Sequence, residues 1–126
     1  MLSPLIIKAT DDTPKVVFDH INNLFEISGR SLPEDASKFY NPLKSWITNY
    51  LQNPNPLTEI KFDLDYFNSS SARLIVKILI ELENLNNSEF KTKIIWKYKV
   101  NDEVMKERGE EIKNVINIPL EFETYS

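Results

Sequence analysis

A chain of 126 residues, 41% hydrophobic and 27% charged, has the length and composition of one globular domain that can bury a core without staples. Its net charge of −4 disfavours nucleic acid as a partner, and the absence of cysteine removes disulfides, thiolate metal sites and cysteine nucleophiles. With two glycines there is no glycine-rich phosphate loop, and no apolar run reaches bilayer-spanning length, so neither a cofactor nor membrane insertion is expected.

Residues 5–9, 16–19 and 24–29 read as three strands, the last two joined as a hairpin across 19–23. The first ten residues hold one lysine in an alternating apolar segment and no small-residue cleavage site, so they read as strand, not signal peptide. Without a targeting segment the cytoplasm is the expected compartment. The single histidine, His20, sits in the turn and lacks the partners that a zinc site or a catalytic triad needs.

Pro33-Glu34-Asp35 opens a helix, since proline suits the first turn and acids suit its positive end. Phe39, Leu43, Trp46, Ile47, Tyr50 and Leu51 form its apolar face. Pro42 predicts a kink or restart, with Asn41 as a second cap. Asn53-Pro54-Asn55-Pro56 ends the helix.

Ile60, Phe62, Leu64 and Tyr66 then alternate with Lys61, Asp63 and Asp65, a strand with one buried face. Ile75, Ile78, Leu79, Leu82 and Leu85 follow at helical spacing. After a loop at 84–88, residues 92–98 form a strand with Ile94, Trp96 and Tyr98 on one face. Asn101 or Asp102 caps a third helix reaching about Lys113. Ile116, Ile118, Leu120 and Phe122 make a last strand, placed at an edge by Pro119.

The predicted order is β-β-β-α-β-α-β-α-β, a single α/β domain. Its strands are half polar, whereas a sheet covered on both sides reads as continuous apolar runs. The expectation is one mixed sheet with the major helices on one face. Lys91, Lys93, Lys97 and Lys99 share a parity and read as a solvated face, with an anionic partner as the rival. They are expected to meet Asp63 and Asp65 across the strands, at about 0.2–1 kcal/mol per pair. As a catalytic acid/base pair those aspartates would need a cleft, which an open sheet face does not supply.

Tyr66-Phe67-Asn68-Ser69-Ser70-Ser71 spans the change from strand to helix. Asn and Ser are preferred caps there. Capping needs one such residue, and here three serines follow an asparagine. A serine at a helix N-terminus also suits phosphorylation, because the added anion is favoured by the free N–H groups. A small anion or nucleotide held in an enclosed pocket lined by Arg30 and Tyr66 is the alternative.

Gly29-Arg30-Ser31-Leu32-Pro33-Glu34, Phe39-Tyr40-Asn41-Pro42-Leu43, the serine stretch, Trp96-Lys97-Tyr98 and residues 102–110 occur in this order. Together they resemble the SiaC family of bacterial regulatory phosphoproteins, over about residues 7–120. The resemblance implies a STAS-like (SpoIIAA-like) fold and no enzymatic activity. It implies that Ser69 is the phosphoacceptor, with Arg30, Ser31, Leu32, Glu34, Tyr66, Asn68, Ser70 and Ser71 as a supporting or partner surface. It also implies a kinase of the anti-sigma-factor type, a PP2C-like phosphatase, and a protein effector bound by the unmodified form. In the namesake branch that effector is a diguanylate cyclase. Two positions depart from the pattern: the best-described acceptor is a threonine, and Leu32 stands where an aromatic residue is expected.

Overall fold

The computed structural model describes residues 2–86 and 89–126; Asn87 and Ser88 of the expected 84–88 loop lie outside the described residues. Among the described residues the elements run β1 (Leu5–Ile7), β2 (Lys15–Asp19), β3 (Leu24–Ser31), α1 (Ala36–Tyr50), β4 (Leu57–Phe67), α2 (Ser69–Glu83), β5 (Lys91–Lys99), α3 (Glu103–Val115) and β6 (Leu120–Tyr125). This is the order that the periodicity predicts. The strands lie in one sheet in sequence order, antiparallel from β1 to β3 and parallel from β3 to β6. The edge position expected for the last strand is observed. In the β2–β3 turn, Asp19 Oδ1 accepts the Ile21 and Asn22 N–H groups and Asn23 takes φ 55°.

One face of the sheet carries the core. Phe18, Ile27, Ile60, Phe62, Ile94 and Trp96 point the same way and are buried. Against them pack Leu43, Trp46, Ile47 and Tyr50 of α1, Ile75, Ile78, Leu79 and Leu82 of α2, and Met105 and Ile112 of α3. Each such large side chain contributes about 1.5–3 kcal/mol when fully buried. Glu26, Lys61, Asp63, Lys93, Lys97, Glu121 and Glu123 occupy the other face, half-buried or exposed. The single helical layer expected from the half-polar strands is therefore present.

Three local expectations need correction. Helix α1 runs unbroken through Pro42, and its cap is Asp35, whose side chain accepts the Lys38 N–H at 3.2 Å. Asn41 caps nothing. An interior proline costs about 3 kcal/mol. Burial of Tyr40, Leu43, Trp46, Ile47 and Tyr50 outweighs that cost and holds one helix on the sheet. Tyr40, not its half-buried neighbour Phe39, is the residue sealed in the core.

The second correction is at the end of β4. Gly29 lies opposite Leu64 but Arg30 lies opposite Tyr66, so Asp65 is an extra residue. Such a bulge reverses the in-and-out alternation beyond it. Phe67 turns into the core at 1% exposure, and Tyr66 turns outward at 48%.

The third concerns the charges. Lys93 bridges Glu59 and Glu121 at 3.5 and 3.4 Å, and Lys97 meets Glu123 at 3.8 Å. Asp63 instead accepts the Tyr125 Oη–H at 2.7 Å. Register decides this pairing, because Glu59 lies directly opposite Lys93.

Candidate functional site

Strands β3 and β4 end side by side, with Arg30 opposite Tyr66 and Ser31 opposite Phe67. Gly29 has φ +106°, a region that side chains strain to enter, and it sits beside the bulge. The Asn68 N–H then donates to the Ser31 carbonyl at 3.0 Å. Residues 29–34 and 68–71 thus share one end of the sheet, as expected of segments that follow parallel strands.

Asn68 is the cap of α2. Its extended backbone lets Oδ1 accept the Ser71 N–H at 2.9 Å, while its carbonyl accepts the Ala72 N–H at 3.0 Å. Ser71 faces inward. Its hydroxyl donates to the Ser31 carbonyl at 3.1 Å and accepts from the Ser31 hydroxyl at 2.8 Å. Tyr40 Oη lies 2.6 Å from Ser31 Oγ, and with the serine protons committed, Tyr40 is the donor. Ser31 and Ser71 are 0% exposed and Tyr40 1%. Burial pushes the Tyr40 phenol above its ordinary value, against the opposing pull of hydrogen bonds with Ser31 and Ser71.

This network ties β3, α1 and the β4–α2 junction together without touching solvent. Ser31 and Ser71 are therefore supports of the site and not part of its surface. Arg30, Glu34, Tyr66, Ser69 and Ser70 are exposed, and Leu32 and Asn68 half-buried. Ser69 has no capping duty, since Asn68 holds that role.

Sequence reasoning missed three contributors. Tyr40 was hidden as a polar tip beside an apolar stripe. Phe67 was hidden by the bulge. Arg108 of α3 places its guanidinium 4.2 Å from the Phe67 ring centre, a contact between distant segments with no local signal.

Two concavities bear on alternative sites. An open groove of about 430 Å³ is lined by Glu34, Asp35, Ser70, Arg73 and Lys77, next to the start of α2. A cleft of about 730 Å³ lies beside His20, Tyr50 and Pro54, at the other end of the strands. His20 packs edge-on to Trp46 and Tyr50 there. Among the described residues no group of three histidine or carboxylate side chains is arranged to hold a metal, and no helix is long and apolar enough to cross a membrane.

An open-faced α/β sheet that gathers its polar side chains at the carboxyl ends of the parallel strands defines the class. Residues 7–125 match the model of the SiaC family regulatory phosphoproteins, and the chain belongs to that family. It is 24% identical over 124 residues to an uncharacterized protein of Pseudomonas aeruginosa (strain UCBPP-PA14), covering 98% of each chain. Among solved structures it is similar to SiaC of Pseudomonas aeruginosa, with TM-score 0.87, 23% identity, and 98% and 99% of the two chains covered. It is equally similar, at TM-score 0.87, 24% identity and coverage of 96% and 99%, to a chain in the crystal structure of the diguanylate cyclase SiaD in complex with its activator SiaC from the same organism. These structural likenesses establish the fold.

Proposed function

We propose that this protein is a non-enzymatic, phospho-switched binding module whose switch residue is Ser69. In its unmodified form it binds a protein effector of the diguanylate cyclase class. The observation that carries the reading is the exposed Ser69 hydroxyl, which has no capping duty and stands on a sealed scaffold. Membership of a regulatory phosphoprotein family supports it, and so does the complex in which a similar chain activates a cyclase.

A kinase of the anti-sigma-factor type transfers the γ-phosphoryl group of ATP to Ser69 Oγ. The serine proton is released and ADP leaves. A PP2C-like phosphatase directs water at phosphorus and returns the hydroxyl with inorganic phosphate. The exchange takes place in the cytoplasm, where ATP is supplied. Phosphorylation adds about −1.5 to −2 charges at a helix N-terminus, which tolerates them, so the fold survives and the surface changes. Exposed Tyr66, Arg30 and Ser70 flank the hydroxyl as the surface that an effector covers. A penalty of about 1.4 kcal/mol at that surface lowers affinity tenfold. An anion-sensing role would need enclosure, and the exposure of Arg30, Tyr66 and Ser69 argues against it.

The test is partner capture with Ser69→Ala and with phosphoserine installed at position 69. The alanine variant should hold a cyclase-class effector and resist the kinase. The phosphorylated protein should bind it at least about tenfold more weakly. Equal capture by both forms, or modification confined to Ser70 or Ser71, overturns the proposal.

A further inference from the structure

The chain has three arginines, Arg30, Arg73 and Arg108. Their placement is uneven: Arg30 pairs with Tyr66 in the sheet, Arg73 lies one turn beyond Ser69 on α2, and Arg108 covers Phe67. All three are thus attached to the segment that carries Ser69. Among the described residues none is ion-paired to a carboxylate, although lysines on the open sheet face are.

We infer that Arg73 is the built-in receptor for a phosphate on Ser69, so that the modified protein neutralises its own switch. The inference rests on the reading of Ser69 as phosphoacceptor. Residues four apart on a helix lie about 40° from each other around the axis, with Cβ atoms roughly 5–6 Å apart. A long side chain on a helix leans back toward the N-terminus, which carries the Arg73 guanidinium toward position 69. Ser69 and Arg73 are both exposed, so neither must leave a packed site to meet. The planar fork of a guanidinium matches two phosphate oxygens. Glu34 and Asp35 share a groove with Arg73, yet neither forms an ion pair with it. A dianionic phosphate one turn away is a stronger competitor than either carboxylate.

The switch then works by withdrawal as well as by addition. In the unmodified protein Arg73 is available to acceptors on an effector. In the phosphorylated protein it is occupied, and the effector loses a donor while meeting new bulk.

Phosphorus NMR titration of the full chain with phosphoserine installed at position 69 tests this without a kinase or an effector. The second ionisation of a free phosphoserine lies near about 6. A clamping guanidinium favours the dianion and lowers that midpoint. The other charged groups around the site are Glu34 and Asp35 from the segment that leads into α1, Lys77 from α2 and Arg108 from α3, all kept constant in the Arg73 variants. Arg73→Gln should raise the midpoint by about half a pH unit or more, and Arg73→Lys should restore part of the shift. Arg30→Gln should leave it in place, because Arg30 lies on β3 opposite Tyr66, whereas Ser69 and Arg73 are one turn apart on α2. Identical midpoints with and without Arg73, or a shift produced by Arg30→Gln or Arg108→Gln alone, overturn the inference. The failure of the broader reading looks different: an effector indifferent to phosphoserine at position 69 leaves the NMR midpoints as they are.

Discussion

Ser69 and Ser70 stand in water, while Ser71, the next residue, is sealed with Ser31 and Tyr40 beneath the helix. Identical chemistry takes opposite roles because each helical step turns the side chain by about 100°. The sealed hydroxyls are fixed by reciprocal hydrogen bonds and position the backbone. The exposed ones carry no structural load and are free to change chemically. Under the function proposed above, this separation of support from surface lets Ser69 be modified without loosening the segment that presents it.

The comparison can be broken first at its sealed side. Tyr40→Ala removes a buried ring along with its hydroxyl and should cost about 3–5 kcal/mol in urea denaturation. Tyr40→Phe and Ser71→Ala, which delete single hydroxyls, should each cost about 1–3 kcal/mol. Because they share Ser31, their double variant should deviate from additivity by about 0.5 kcal/mol or more. Strict additivity would mean that the three hydroxyls do not act as one network.

The next smaller effect sits at the boundary. Asn68→Ala removes the cap and should cost about 0.5–2 kcal/mol. Ser69→Ala and Ser70→Ala should each stay within about 0.5 kcal/mol of the parent, as surface changes do. Ser69→Ala should nevertheless abolish phosphorylation. A stability loss at Ser69 equal to that at Asn68 would erase the distinction between cap and switch.

The smallest effect is read in pH. Tyr125, hydrogen-bonded to Asp63 on the open face, has its phenol pushed up to about 12, first by that bond and then by partial burial. A phenol raised in the fold stabilises in its neutral form. That contribution is whole below about 10, the unfolded value, and is lost as pH rises through about 12. Solvent screens it, so only a shallow decline in stability is expected. Ultraviolet titration of the five tyrosines should show Tyr125 ionising late, and Asp63→Ala should bring it forward. Tyr40 is also raised, but by burial, and should respond to Ser71→Ala instead.

Much of this was legible in the chain itself. Period-2 and period-3.6 patterns mark the order of strands and helices, and half-polar strands foretell the open face. The bounds slip: Ile116 and Ile118, expected in the last strand, precede β6, and Pro33 and Glu34, expected to open the first helix, precede α1. Asn68, Ser69 and Arg30 fall at one end of the sheet because segments after parallel strands gather there. What escaped depends on register and on distant contacts. The Asp65 bulge, invisible in the alternation, exchanges the fates of Tyr66 and Phe67. The lysine partners follow strand alignment, which composition does not encode. Pro42 misleads because local propensity is overridden by the buried face of α1. The Tyr40–Ser31–Ser71 network joins residues up to 40 positions apart.

The two tryptophans occupy separate joints of the molecule. Trp46 donates its indole N–H to the Ser3 carbonyl at 2.7 Å and stacks on Tyr50, tying the first strand region to α1. Trp96 donates to the Met105 carbonyl at 3.0 Å, and Gly109 lets α3 press so close that a Cβ there would lie 2.5 Å from the indole. Each indole is an optical probe of a different docking event. With Trp46→Phe, emission would follow the seating of α3 alone, the helix whose Arg108 guanidinium covers the Phe67 ring just before Asn68. A change in that signal on phosphorylation would be a label-free record of how far the modification is felt inside the fold.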